Sequence, residues 1–204
     1  MKKIIFATGN QAKLNQALFV ASSLGLEIEI LNGKALYGAA ADYDEIGDST
    51  EAIARQGALD VAKRLGEPVI AEDTDFFVHA LNGFPSIRAG LFLKTFGRKA
   101  LLKAMALQEN RACHITSSCC YATPAGEVFC ATHTVKGTMA EAEAFDPTLP
   151  DWISPSSSPF GGGYNGIFIP EGHSRTLAEI SAAEAMTLGY REQTFSAILK
   201  HLVK

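Results

Sequence analysis

The sequence predicts an α/β domain built on a mixed β-sheet. Three observations carry that expectation. Short apolar runs alternate with helix-spaced apolar patterns in the first third of the chain. Residues 112–122 and 127–136 read as two long strands joined at Thr123-Pro124-Ala125-Gly126-Glu127, which is hairpin chemistry. Two further helical patterns close the chain, near 180–188 and 190–203. Strand–helix alternation favours parallel pairing and a hairpin forces an antiparallel pair, so the sheet is mixed.

Each element has its own reason. Residues 2–8 read as a buried strand around Ile4, Ile5 and Phe6. From Asn10 to about Leu24, the apolar residues Leu14, Ala17, Leu18, Ala21 and Leu24 fall at helical spacing. Glu27–Leu31 alternates as a second strand. An acidic loop, 41–50, precedes a helix that Ser49 or Thr50 caps and that runs to about Leu65, where Gly66 and Pro68 end it. Residues 68–85 read as a short strand, an acidic turn, a short segment and a Gly-Pro loop. Residues 97–107 look helical. The stretch 145–166 holds four of the eight prolines and reads as a long loop, of the functional or mobile kind.

Composition narrows the class. A chain of 204 residues with 47% hydrophobic content suits one domain spanning 1–204, with a sizeable core. The net charge of −4 speaks against broad binding of nucleic-acid polymers, yet leaves room for a local basic pocket for a phosphorylated small molecule. No apolar run approaches the roughly 18–20 residues of a membrane span. The start lacks a signal peptide's apolar region, so a cytoplasmic protein is expected. Cys113, Cys119, Cys120 and Cys130 crowd a strand-like region without a CxxC pair, which suits reduced packing residues better than a zinc site.

Three stretches carry chemistry. In "FATGNQAK", residues 6–13, a strand runs through a small polar turn into a helix. The first N–H groups of a helix lack partners and carry partial positive charge, which suits phosphate. Thr8 and Asn10 add side-chain hydrogen bonds. Lys13 stands in the first helical turn, where a cation opposes the helix dipole, so it is expected to serve an anionic ligand rather than stability. The plainer alternative is a surface helix capped by Asn10 with Lys13 solvated. The second stretch holds Glu72, Asp73 and Asp75 where a buried strand ends. Strand neighbours point to opposite faces, so Glu72 and Asp73 do not both face one ligand. One of them, with Glu45 of the acidic loop, makes a carboxylate pair of the kind that joins Mg²⁺ to substrate phosphates. An ordinary acidic surface loop is the alternative. The third stretch, "FGGGYNGIF" at 160–168, offers close backbone approach through its glycines and base stacking through Phe160 and Tyr164. A glycine-rich hairpin with core aromatics reads equally well.

Together these residues resemble the inosine triphosphate pyrophosphatases, which hydrolyse non-standard purine nucleoside triphosphates to monophosphate and pyrophosphate. The matching segments are 6–13, 71–85, 161–168 and 175–191, in the family's order, and they cover essentially the whole chain apart from an extra loop near 145–160. The resemblance implies an elongated two-lobed α/β fold with a twisted mixed sheet, a nucleotide cleft between the lobes and a homodimer. It implies that Thr8, Asn10 and Lys13 bind phosphate and that Glu45 and Asp73 hold Mg²⁺. It also implies that Glu72 and Asp73 form the catalytic acidic pair, with Asp73 holding the metal or activating water. Phe160, Tyr164, Asn165, Tyr190 and Arg191 fall among the substrate-binding positions. Thr176 and Glu179 match a T-x-x-E motif.

The departures are equally specific. Gly57 and Ala185 stand where the family carries phosphate-binding lysines. Asn165 replaces an aspartate, and Gly189-Tyr190 replace Ser-His before Arg191. Arg55, Arg88, Lys94 and Arg175 are the cations available as replacements. The retained Lys13, Glu45, Glu72 and Asp73 imply this chemistry on inosine and xanthosine triphosphates, whereas Asn165, Gly189 and Tyr190 imply the same chemistry on a different modified nucleotide. A nucleotide-binding relative with little catalysis is the third reading.

Overall fold

The computed structural model describes residues 2–154 and 162–203. In chain order the regular elements begin with β1 (Lys2–Phe6), α1 (Gln11–Ser23), β2 (Ile28–Asn32), α2 (Gly33–Tyr37), α3 (Thr50–Leu65) and β3 (Val69–Val78). They continue with β4 (Pro85–Ser86), α4 (Ala89–Ala104), β5 (Ala112–Ala122), β6 (Val128–Met139), β7 (Phe168–Pro170), α5 (Ala182–Leu188) and α6 (Tyr190–Leu202). The strands form one sheet in the order β2-β1-β3-β5-β6-β7, with β4 on β3. β1 runs parallel to β2 and β3, whereas β4 and β7 lie antiparallel to β3 and β6. The expected mixed α/β sheet is therefore present.

The chain divides into two compact units. The first comprises Met1–Asp73, Ser117–His133 and Arg191–Lys204, and the second Thr74–Thr116 and Thr134–Tyr190. In the first unit, Ile5, Ala7, Val69, Ala71, Cys120 and Ala122 form an apolar face against Ala54, Ala58, Val61 and Ala62 of α3. Small alanines let the helix lie close to the sheet. On the opposite face the Phe6 ring meets Phe195 of α6 edge-on, at 5.7 Å between centroids. β1 is linked through α1 to β2 on one side, and the next crossover, through α3, leads to β3 on its other side. Strand order reverses there, and in open α/β sheets such a point leaves a crevice at the strands' carboxyl ends.

Local signals explain most boundaries. Ser49 caps α3, and Gly66 ends it in the left-handed conformation at φ 70°. Three expectations need correction. The acidic stretch 72–75 is not a turn: β3 continues unbroken through it to Val78. Burial of Glu72 against cations removes the solvation demand that made a turn plausible. The helix expected over 97–107 begins earlier, at Ala89, and Gly97 interrupts it with φ 72°. The cysteines are not all reduced, since Cys120 and Cys130 form a disulfide. The hairpin register dictates it: Ser118 meets Thr132 and Thr116 meets Thr134, so Cys120 faces Cys130 with Cα atoms 4.1 Å apart. Cys113 and Cys119 are buried free thiols, as expected, and burial pushes Cys113 up to about 12.

Candidate active site

The end of β1 and the middle of β3 build the site. β1 stops at Phe6, and the chain turns through Thr8, Gly9 and Asn10 into α1. The Thr8 hydroxyl accepts the Asn10 amide at 3.0 Å, and Asn10 Oδ1 accepts the amides of Ala12 and Lys13 at 3.0 and 3.3 Å. Asn10 is thus the N-cap, and the plain reading of that residue is correct. The turn itself stays at the surface, with Gly9 and Asn10 exposed. The Lys34 side chain crosses Gly9 so closely that a Cβ there would stand 2.8 Å from its Cδ. Lys34 Nζ reaches Asp42 at 2.6 Å.

Lys13 is placed by its ion pair. Its ammonium lies 2.8 Å from Glu72 Oε2 and donates to the Glu72 carbonyl oxygen at 3.1 Å. Glu72 Oε1 accepts from Ser117 Oγ at 2.8 Å and from Arg191 Nε at 3.2 Å. The Glu72 side chain has no exposed surface. Glu72 is thus a buried carboxylate ringed by two cations and a hydroxyl. The expectation that Lys13 contributes little to stability gives way for that reason.

Asp73 has the opposite orientation. Val69, Ala71 and Asp73 alternate onto the α3 face of the sheet, whereas Glu72 faces α1 and α6. Near Asp73 lies Tyr43, whose ring rests on Gly57 of α3 and whose hydroxyl lies 3.4 Å from the Glu72 carbonyl oxygen. Burial holds the Tyr43 phenol well above its ordinary range, and the charges of Asp73, Glu45 and Glu72 raise it further. The phenol therefore stays protonated. Glu45 lies in the exposed segment between the 3-10 turn Gly38–Ala41 and α3.

Among the described residues no three His, Cys, Asp or Glu side chains gather to hold a metal alone. Glu45 and Asp73 nevertheless act on one phenol. Two carboxylates suit Mg²⁺, which completes its octahedron with water and phosphate oxygens. The donor chemistry of these two residues suits such an ion.

Other expected positions are occupied differently. Asn165 is buried, its amide donates to the Ile153 carbonyl at 3.1 Å, and its Oδ1 accepts the Tyr190 hydroxyl at 3.0 Å. These two replacements are one hydrogen-bonded pair within the second unit. Tyr164 is a core residue: its ring stacks on Phe76 at 4.4 Å and its hydroxyl donates to the Ala89 carbonyl. Tyr164 therefore presents no exposed ring for base stacking. Phe160 lies outside the described residues. Thr176 and Glu179 form a capping box on the 3-10 turn Leu177–Glu179. Arg55 pairs with Glu51 and Arg175 with Glu184, so two of the four candidate replacement cations already hold carboxylates. Ala185 is buried in α5.

One buried pair was not foreseen. Gln16 Nε2 donates to Glu192 Oε1 at 2.6 Å, and Gln16 Oε1 finds no partner. Burial pushes Glu192 from 4.5 up to about 7, against the opposing Gln16 hydrogen bond. The folded state therefore binds the proton more tightly than the unfolded chain. Its stabilising contribution is complete below pH 4.5 and is lost as pH rises through about 7, a fall of about 3 kcal/mol. Glu192→Gln should gain on the wild type as pH rises from 5 to 8. Melting curves that shift in parallel over that range would contradict the assignment.

Comparison with known proteins gives these positions a context. The chain is 34% identical to a dITP/XTP pyrophosphatase of Methanopyrus kandleri over 190 residues, covering 93% of this chain and 90% of that protein. It is 32% identical to a dITP/XTP pyrophosphatase of Thermococcus kodakarensis, covering 93% of this chain and 91% of the relative. The solved Staphylococcus aureus Ham1 protein shares the fold with a TM-score of 0.75 at 22% identity, covering 99% of this chain and 98% of that one. The sequence profile of the Ham1 family matches residues 4–201, and on that match the chain belongs to the Ham1 family.

Proposed function

We propose that this protein hydrolyses non-standard purine nucleoside triphosphates of the inosine and xanthosine type to the monophosphate and pyrophosphate. The end of β1 beside the middle of β3 carries the reading. Lys13, one turn into α1, reaches the Glu72 carbonyl oxygen on β3, next to Asp73 in the chain, and this supports the reading. The relatives named dITP/XTP pyrophosphatase support it.

The polyphosphate binds at the Thr8–Lys13 turn, where the positive end of the α1 dipole and the Lys13 ammonium meet its charge. Glu45 and Asp73 would hold Mg²⁺, which when bound would offset phosphate charge and strengthen the electrophile. Asp73 orients a water for in-line attack on the α-phosphorus and holds its proton. The new P–O bond forms as the bond to the bridging oxygen breaks, and pyrophosphate leaves with that electron pair. Glu72 fixes Lys13 and Arg191.

The reading extends to a homodimer acting on free nucleotide in the cytoplasm. Leu91 and Phe96, with Phe84, give the second unit an exposed apolar surface that a second copy would cover. A monomer by light scattering, or a membrane fraction on cell lysis, would argue against these assignments. Among the described residues no helix is long and apolar enough to cross a membrane.

A second reading, the same chemistry with relaxed base choice, is favoured by one observation. Asn165 and Tyr190 satisfy each other. Missing one buried hydrogen bond to a base weakens discrimination by about five- to a hundredfold. The test is pyrophosphate release from inosine, xanthosine, adenosine and guanosine triphosphates, with and without Mg²⁺. Metal-dependent release from the first two is expected, at less than about a hundredfold over adenosine. Release from none of them would refute the function, and a larger ratio would refute relaxed choice.

A further inference from the structure

We propose that Tyr43 is a substrate-binding residue whose hydroxyl holds the polyphosphate beside Lys13, and that Gly57 is glycine in order to admit it. The proposal rests on the functional reading above. A Cβ at residue 57 would stand 2.5, 2.6 and 2.7 Å from Tyr43 Cδ2, Cε2 and Cγ. Any side chain at 57 therefore displaces the ring. The Tyr43 ring occupies the space that a side chain on this turn of α3 would take.

Packing alone does not account for a tyrosine here. The ring lies against the apolar cluster beneath α3, which phenylalanine would serve as well. Tyrosine adds a hydroxyl, and that hydroxyl lies 3.4 Å from the Glu72 carbonyl oxygen. Lys13 Nζ donates to the same oxygen at 3.1 Å. Two residues earlier on this edge of β3, the Ile70 carbonyl accepts the Ala7 amide at 2.9 Å. β1 has ended by the next acceptor, so two side-chain donors from α1 and the acidic loop meet the Glu72 carbonyl instead. Both donors meet on a neutral acceptor.

A phosphate oxygen is the stronger acceptor. Hydrogen bonds to a charged oxygen are roughly twice as strong as neutral ones. An arriving polyphosphate therefore draws both donors from the carbonyl. An ammonium and a hydroxyl side by side suit an anion with several oxygens, and the carboxylates of Glu45 and Asp73 would repel it without a metal.

The test uses Tyr43→Phe, which keeps the ring on Gly57 and removes only the hydroxyl. Calorimetry with magnesium tripolyphosphate should show Kd raised about fivefold or more. KM for inosine triphosphate should rise about tenfold, with kcat changed less and the melting temperature unchanged. Gly57→Ala, which pushes the ring away, should show the same loss of affinity. Equal Kd and KM for wild type and Tyr43→Phe would overturn the proposal while leaving the pyrophosphatase reading intact. Tripolyphosphate binding that depends on Tyr43, in a protein that hydrolyses no nucleotide, would support the proposal and refute that reading. No tripolyphosphate binding by the wild type would overturn the proposal outright.

Discussion

Asp73→Asn should remove most of the pyrophosphate release, with kcat/KM falling by roughly two to four orders of magnitude. The variant keeps the shape of the side chain and loses its charge. Both roles assigned to Asp73 need that charge: a carboxylate holds a divalent ion far better than an amide, and an amide oxygen is a poor proton acceptor. Stability should change little. Asp73 is only half-buried, and it continues the Val69–Ala71 face beyond the apolar cluster rather than lying inside it. Measuring release at saturating and at limiting Mg²⁺ separates the two roles. If excess metal restores the rate, weakened metal binding accounts for the defect. If it does not, the proton acceptor has been lost. Wild-type release by Asp73→Asn at low Mg²⁺ would remove Asp73 from both.

Much of this arrangement was legible in the sequence because local chemistry sets it. Asn10 caps α1 and Ser49 caps α3, each at the place its residue type announces. The Thr123–Glu127 turn fixed the hairpin, and the opposite faces of Glu72 and Asp73 follow from strand geometry alone. What stayed hidden depends on contacts distant in sequence. The unbroken course of β3 needs Lys13 and Arg191 to neutralise Glu72, from 59 and 119 residues away. The disulfide needed the register carried one step further than the turn. Tyr43 was missed because its meaning lies in Gly57, and a mid-helix glycine alone does not say what fills the space. Asn165 and Tyr190 looked like two separate losses, and only their 3.0 Å hydrogen bond makes them one exchange. The pairing of Gln16 with Glu192 left no sequence signal, since a glutamine and a glutamate on two amphipathic helices read as surface residues.

Glu72→Ala should be the most destabilising single change in the first unit. The substitution leaves two cations facing a cavity. Lys13 and Arg191 side chains are only 18% and 11% exposed, so neither has water enough to replace the carboxylate. Removing one member of a buried ion pair costs about 3–5 kcal/mol, because the remaining charge stays buried without compensation. For a chain of this size, each kcal/mol lowers the melting temperature by roughly 2–4 °C, so the expected fall is about 6–20 °C. Glu72→Gln should recover part of it, since its amide oxygen still accepts from Ser117 and Arg191. Its NH₂ would then face the Lys13 ammonium, donor against donor. Combining it with Lys13→Met removes that clash, so the double variant should melt above Glu72→Gln alone. Additive losses would mean that the two residues do not interact. The neighbouring acids thus separate by measurement: Asp73→Asn loses turnover at constant melting temperature, whereas Glu72→Ala loses melting temperature first. A Glu72→Ala protein that melts with the wild type would show that the carboxylate is not what holds Lys13 and Arg191, and the positioning role would fall with it.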